Sequence, residues 1–298
     1  MDSMNITFLG TGNAVPTKKR NHTSILVSFL NENILIDCGE GTQRQLKIAK
    51  ISPHKITKLL ITHWHGDHTL GIPGLFQTLA MSKYPKVLEV YGPIGTKKNI
   101  DLIQKIYHEF KIKIRVNEIS NHTLDSHSFT IQSLAMQHNT PTNAYSITIK
   151  DKRRIYKNKL TKLKIPNSSL IKEIQLGKDI IFNKKKIKAK DLTYIEKGKK
   201  VAIVLDTKLN PNIQKIAKDS DILIIESSFS HQEKKKAEEY YHLTAKQSAE
   251  VAKKSKVKSL ILTHLSERYE HNPLIIEKEA KSVFKKTKLV NDLDRITI

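Results

Sequence analysis

Residues 58–71 read KLLITHWHGDHTLG, and this stretch decides how the rest of the chain is understood. Its first half, Lys58–Thr62, is a short apolar run closed by polar residues, the pattern of a buried strand. The loop behind it packs His63, His65, Asp67 and His68 into six positions. Imidazole nitrogen and carboxylate oxygen together make a ligand set suited to zinc, with iron or manganese as alternatives. Four ligands so close together exceed what one tetrahedral ion needs if it also draws on other parts of the chain. The expectation is two ions side by side, sharing a water.

Working outward, the same logic recurs. Apolar runs at Asn5–Leu9, Ser24–Phe29 and Ile34–Cys38 read as strands, and Gly41 onwards opens a helix. Lys200–Leu205 and Asp221–Glu226 read as buried strands that deliver Asp206 and Glu226, and Ser259–Thr263 delivers His264 just as Lys58–Thr62 delivers His63. A carboxylate such as Asp206 at a strand end can turn one oxygen to each of two cations. His138 stands at the end of a strand over Phe129–Met136. Helices are expected over Ile72–Ser82, Gly95–Phe110, Glu233–Tyr240 and Thr244–Ser255, the last with Thr244 as N-cap. Leu88–Tyr91, Ile112–Ile119, Tyr145–Ile149 and Arg295–Ile298 are further strands, and Pro273 opens a last helix. Alternating strands and helices with polar groups at strand ends argue for a layered α/β domain.

Composition narrows the partner. The 298 residues carry a net charge of +23, which favours a polyanion. Residues 150–200 hold 18 basic and 5 acidic side chains, over half of that excess in a sixth of the chain. Here Ile and Leu scatter at no clean period, so residues 151–197 read as a basic arm projecting from the domain. The one cysteine, Cys38, cannot form a disulfide within the chain and fits a reducing cytoplasm; it reads as a small buried hydrophobe. No apolar run reaches membrane-spanning length, and MDSMNITFLG reads as a first strand, not a secretory signal. The glycine-bearing loop before Lys18, Lys19 and Arg20 could cradle a phosphate.

Several of these stretches resemble one family. THWHGDH matches the HxHxDH signature of the metallo-β-lactamase fold, and FLGTGNAVPTKKRNHTSILV, LIDCGEGTQRQL and His242-Leu-Thr-Ala245 are similar to segments of tRNase Z (ribonuclease Z), the nuclease that matures tRNA 3′ ends. The resemblance covers most of the chain. It implies a four-layer αβ/βα sandwich, with residues 151–197 as an exosite arm that grips the tRNA elbow. It implies two zinc ions, one held by His63, His65 and His138, the other by Asp67, His68 and His264, with Asp206 between them. Asp37 would brace the metal loop, Asp67 would orient or deprotonate the attacking water, and His242 with Glu226 would protonate the departing 3′ oxygen. The substrate would be a tRNA precursor and the assembly a homodimer. Leu205 stands where the family has glycine, and Leu243 where it usually has serine.

Two other functions compete. A hydrolase of a small phosphodiester, lactone or sulfate ester would need neither the basic arm nor the His242 segment. A nucleic-acid-binding protein with decayed catalysis would not keep the full ligand set. His22, His54, His108, His122, His127, His231 and His271 lack partners at ligand spacing and read as ordinary histidines.

Overall fold

The computed structural model describes residues 3–108 and 110–298. The chain divides into two compact units: residues 149–199 form one, and the segments flanking them form the other.

The larger unit contains two seven-stranded sheets. The first runs, in spatial order, Arg295–Thr297, Met4–Gly10, Ser24–Phe29, Glu32–Ile36, Lys58–Leu60, Val87–Gly92 and Lys113–Glu118. Its first four strands pair antiparallel and its last four parallel. The second runs Thr287–Leu289, Ser259–Thr263, Ile222–Glu226, Lys200–Val204, Thr142–Ile149, Phe129–Met136 and Thr123–Asp125. The first four of these are parallel neighbours, so their C-terminal ends share one edge of the sheet.

Alternation puts an apolar side chain on both faces of each sheet. In the first, Leu26, Leu35, Leu59 and Val90 pack with Leu46, Ile72, Leu75, Phe76, Leu79 and Ile100 from helices Thr42–Ile48, Ile72–Met81 and Thr96–Ile106. Their neighbours Ile25, Val27, Ile34, Ile36 and Leu60 are fully buried on the opposite face. In the second, Ala202, Val204, Leu223, Ile225, Leu260 and Leu262 pack with residues of helices Pro211–Ala217, Ala245–Lys254 and Leu274–Val283, while Val201, Ile203 and Ile224 are fully buried on the other side. Each such side chain contributes about 1.5–3 kcal/mol when removed from water. The fully buried Tyr145, on a strand of the second sheet, donates its hydroxyl to the carbonyl of Ile61, which directly follows a strand of the first, at 2.7 Å. Sheets covered by helices on one face and buried on the other form the expected four layers.

The elements differ from expectation mostly at their ends. The helix expected over Gly95–Phe110 stops at Ile106, where Tyr107 caps it and His108 turns left-handed at φ 55°; residue 109 lies outside the described residues, as do Met1 and Asp2 of the expected first-strand segment. Glu233–Tyr240 begins as a 3₁₀ turn, His231–Glu233, before the helix Lys234–Glu239. Thr244 is the N-cap expected of it: its hydroxyl accepts from Gln247 N, and the Gln247 side chain accepts from Thr244 N in return. The three-residue strands Thr123–Asp125 and Thr287–Leu289 were too short to show a period.

The smaller unit has its own architecture. Lys152–Ile155 pairs antiparallel with Thr193–Glu196, Ile180–Phe182 with Lys185–Ile187, and helices Lys157–Lys162 and Ser169–Gln175 fall between. Ile165, Ile174, Ile180 and Leu192 form its core. The aperiodic scatter of Ile and Leu in the sequence is thus a core supplied piecemeal by elements of three to seven residues and, at Ile165, by the loop between two helices. No helix among the described residues is long and apolar enough to cross a membrane.

Candidate metal centre

The strand Lys58–Leu60 ends against Asp37. The backbone N–H and hydroxyl of Thr62 donate to the two oxygens of Asp37, both at 2.7 Å. This pins the loop from which His63 and His65 project. The next turn, Gly66–Thr69, carries Asp67 and His68. Across from it, Asp206 and His264 each lie just beyond parallel strands of the second sheet, where α/β proteins gather ligands. His138 follows Met136 at the end of its own strand.

Asp37, Asp206 and His264 all adopt left-handed backbone conformations, with φ 55°, 34° and 58°. Non-glycine residues held there cost about 1–3 kcal/mol each and concentrate at functional sites.

The side chains converge as two sets. The ligand atoms of His63, His65, His138 and Asp206 all lie within 4.8 Å of one another, and so do those of Asp67, His68, Asp206 and His264. His63 Nε2 is 3.1 Å from His65 Nδ1, and His138 Nε2 is 3.3 Å from that same atom. His68 Nε2 and His264 Nε2 are 3.2 Å apart. Around a tetrahedral zinc with Zn–N bonds of about 2.0–2.1 Å, nitrogens stand about 3.4 Å apart. Asp206 belongs to both sets: Oδ2 faces His63 at 3.6 Å and His138 at 3.9 Å, and Oδ1 faces His264 at 3.1 Å and His68 at 3.5 Å.

The far side of each ring decides which nitrogen is free. The Thr62 hydroxyl spends its proton on Asp37 and therefore accepts from His63 Nδ1 at 3.0 Å. His68 Nδ1 donates to Asp37 Oδ2 at 2.6 Å, and His138 Nδ1 donates to the Tyr241 carbonyl at 3.3 Å. Ser228 donates to Glu226 Oε2 at 2.8 Å and accepts from His264 Nδ1 at 2.9 Å. All four rings are thereby held with an Nε2 lone pair aimed inward, as metal-ligating histidines are. Asp206 Oδ1 is buried and accepts no hydrogen bond, which a second ligand role would answer. On both counts the donor set fits divalent cations, and the cluster is a divalent metal site.

The electrostatics agree. Burial works against charge on His68, yet Asp67, Asp206 and Asp37 outweigh it and raise its pKa well above the ordinary imidazole value. Burial also opposes the carboxylates of Asp67 and Asp206, but the imidazoles facing them hold both below the usual range: His68 first for Asp67, His264 and His68 for Asp206. Burial, with neighbouring imidazoles, pushes His63, His65 and His138 down. One set thus keeps neutral lone pairs, and the other surrounds His68 with enough negative charge to favour a cation.

Beside the cluster lies a second pair. His242 Nδ1 donates to Glu226 Oε2 at 2.9 Å, and Glu226 Oε1 accepts from Thr207 N at 2.8 Å. Burial lowers the basicity of His242, but Glu226 and then Asp206 overcome it and raise its pKa to about 9. Its ring centroid is 5.5 Å from that of His264 and 5.7 Å from that of His138.

All nine residues singled out in the sequence therefore meet in one place. The other histidines named there do not join them: His22 sits near the Ala14 carbonyl and His231 near Thr244. Arg20 is not available to a phosphate, because it is buried and donates to Thr11, the Val290 carbonyl and Asn291. Cys38 is fully buried, which pushes its thiol up to about 12. Leu243 is fully buried in the core of the second sheet, and Leu205 is fully buried too. Ser228 and Thr207 escaped the sequence reading. The polar run Ser227-Ser228 directly behind a strand ending in Glu226 was the available signal.

Comparison with known proteins agrees with this geometry. The chain is 37% identical over 298 residues to ribonuclease Z of Methanothermobacter thermautotrophicus, an alignment covering 99% of this chain and 97% of that one. In structure it resembles the short form of human tRNase Z, at TM-score 0.71 and 24% identity over 98% of both chains. It also resembles the metallo-β-lactamase fold protein YhfI of Bacillus subtilis, at TM-score 0.73 and 18% identity over 100% of both. The two structures establish the metallo-β-lactamase fold. The family model described as Anti-Pycsar protein Apyc1 matches residues 4–197 and stops short of Asp206, Glu226, His242 and His264. The chain belongs to the ribonuclease Z family and, through residues 4–197, also to the family described as Anti-Pycsar protein Apyc1.

Proposed function

We propose that His63, His65 and His138 hold one zinc ion, that Asp67, His68 and His264 hold a second, and that Asp206 gives one oxygen to each. The chain is a metal-dependent endoribonuclease that removes the 3′ trailer from tRNA precursors, leaving a 3′ hydroxyl on the tRNA and a 5′ phosphate on the trailer. The family assignment behind that statement is carried by relatives aligned over nearly the whole chain, the stretch beyond position 197 included.

Zinc held by these residues would lower the pKa of a bound water and set positive charge against the phosphoryl oxygens. The chain's own groups do the remainder. Asp67, whose carboxylate stays ionised, orients the attacking water. As the water oxygen bonds to phosphorus, the bond to the 3′ oxygen breaks, and His242 protonates that oxygen. Since His242 Nδ1 is engaged by Glu226, Nε2 carries the transferable proton. Glu226 keeps the ring cationic, and Thr207 and Ser228 keep Glu226 in place. The observation that carries this reading is the position of His242–Glu226 beside two donor sets joined by one aspartate.

The basic unit of residues 149–199 acts in this reading as the exosite that grips the tRNA elbow. In a homodimer, one subunit's arm would hold the tRNA for its partner's cleft. Purified protein incubated with a tRNA precursor carrying a 3′ trailer should release trailer with a 5′ phosphate, and a chelator should stop it. Failure to cleave after zinc is restored would end the proposal.

A further inference from the structure

We infer that Lys208, parked on the ring of Tyr241, is the residue that holds a phosphate immediately flanking the scissile one; the inference rests on the nuclease reading above. Lys208 Nζ lies 3.9 Å from the Tyr241 ring centroid, a cation–π contact. Both side chains are half-buried. Among the described residues, no carboxylate lies within ion-pairing distance of this ammonium, so its N–H donors remain uncommitted to an anion of the protein itself.

The pair is tied to the metal cluster from both sides. The N–H of Lys208 donates to the carbonyl of Gln137, the residue before His138, at 2.8 Å. Lys208 itself follows Asp206 by two positions. Tyr241 accepts from His138 Nδ1 through its carbonyl at 3.3 Å and is peptide-linked to His242. Its ring centroid is 6.1 Å from that of His138. Tyr241 takes a left-handed conformation, φ 62°, which a tyrosine does not adopt without other contacts enforcing it. The backbone therefore fixes the ring, and the ring fixes the ammonium on the side of the cluster where His138 stands.

Parking matters for a lysine. A free lysine side chain loses considerable rotamer freedom when it clamps a ligand. Held on an aromatic face beforehand, it gives up less on binding. The ammonium serves as a point charge for a phosphate oxygen, whatever the neighbouring base. Tyr241 is a positioning residue here, acting through Lys208.

The test measures precursor cleavage and binding by Lys208→Ala, Lys208→Arg and Tyr241→Leu. Lys208→Ala should raise KM for the precursor roughly tenfold, the scale of one charge-assisted hydrogen bond, with a smaller change in kcat. The slope of log binding constant against log salt should fall by about one phosphate contact. Arg at this position should restore most of both. Tyr241→Leu should raise KM less and leave the salt slope intact. A small aryl phosphodiester, which has no flanking phosphate, should be turned over at an unaltered rate by Lys208→Ala and Lys208→Arg. A methylphosphonate at one of the two flanking positions should weaken the wild type and leave Lys208→Ala unaffected. If neither flanking methylphosphonate couples to Lys208, or if small-diester turnover falls alongside precursor cleavage, the inference is wrong, while wild-type cleavage of the precursor would leave the nuclease reading standing.

Discussion

His242 and Glu226 are joined by a 2.9 Å hydrogen bond in which the carboxylate is wholly buried and the imidazole is open on its other edge. The pair explains how an imidazole stays cationic well above neutral pH, and it gives the acid role a measurable signature. Replacing Glu226 by Gln keeps the shape and removes the charge. In the native protein the cation persists up to a pKa of about 9. Without Glu226, burial and the metal-side groups decide, and the value should fall toward or below the ordinary ~6.5. The alkaline limb of kcat against pH should move down by two units or so, with at least a tenfold loss at pH 8. A limb that does not move would remove His242 from the acid role.

Asp67 stands 3.3 Å from both His68 Nε2 and His264 Nε2, inside the proposed second donor set. Asp67→Ala should abolish cleavage, by at least about 10²-fold, while tRNA binding measured at equilibrium stays largely intact. Undiminished turnover would refute the assignment.

Two donor sets sharing Asp206 predict two ions per chain. Elemental analysis of protein purified without chelator should approach two equivalents of zinc, and Asp206→Asn should weaken both sites together. Because the ions bind the folded chain, stripping them should lower Tm. At a free concentration near 100 times Kd a site contributes about 2.7 kcal/mol, which for a chain of this length is roughly 5 °C. Saturation at one equivalent would overturn the paired assignment.

Leu243 occupies the place next to His242 and is fully buried in the core against helix Ala245–Lys254. Leu243→Ala should destabilise the protein by about 2–5 kcal/mol. It should also cut activity, since the turn that aims His242 rests on that side chain. Chemical denaturation alongside precursor cleavage tests both effects. A variant of native stability would mean that the site can collapse around the cavity.

The lysines of residues 149–199 predict a salt-dependent contribution to binding. Reversing or removing several exposed ones, such as Lys162, Lys164 and Lys185, should flatten the dependence of tRNA affinity on salt by about one contact per phosphate lost. Turnover of a small phosphodiester should be insensitive to the same changes. An unchanged slope would show that the arm does not touch the tRNA backbone.

Much of the site could be read in the sequence because its chemistry sits at the ends of buried strands. Lys58–Leu60, Ile222–Glu226 and Ser259–Thr263 announce themselves by apolar runs, and the polar residue that interrupts each run has been placed by the strand itself. Arg20 shows where this reasoning fails. Beside Lys18 and Lys19 it looked like a phosphate contact, yet it is buried and bonded to residues 290 and 291, some 270 positions away. The smaller unit failed for a related reason: elements of three to seven residues repeat a hydrophobic period twice at most, too few times for the core of Ile165, Ile174, Ile180 and Leu192 to stand out in local pattern.

What the sequence determined by itself was which chemical groups exist and which strand ends present them, because residue type and local periodicity are properties of neighbours along the chain. Only the tertiary structure decided that Asp206 turns Oδ2 to His63 and Oδ1 to His264, that Asp37, Thr62, Ser228 and Tyr241 aim the imidazoles, and that Lys208 rests on Tyr241. Those relations join segments up to about 200 residues apart, and their distances are set by how two sheets pack, which no local pattern encodes.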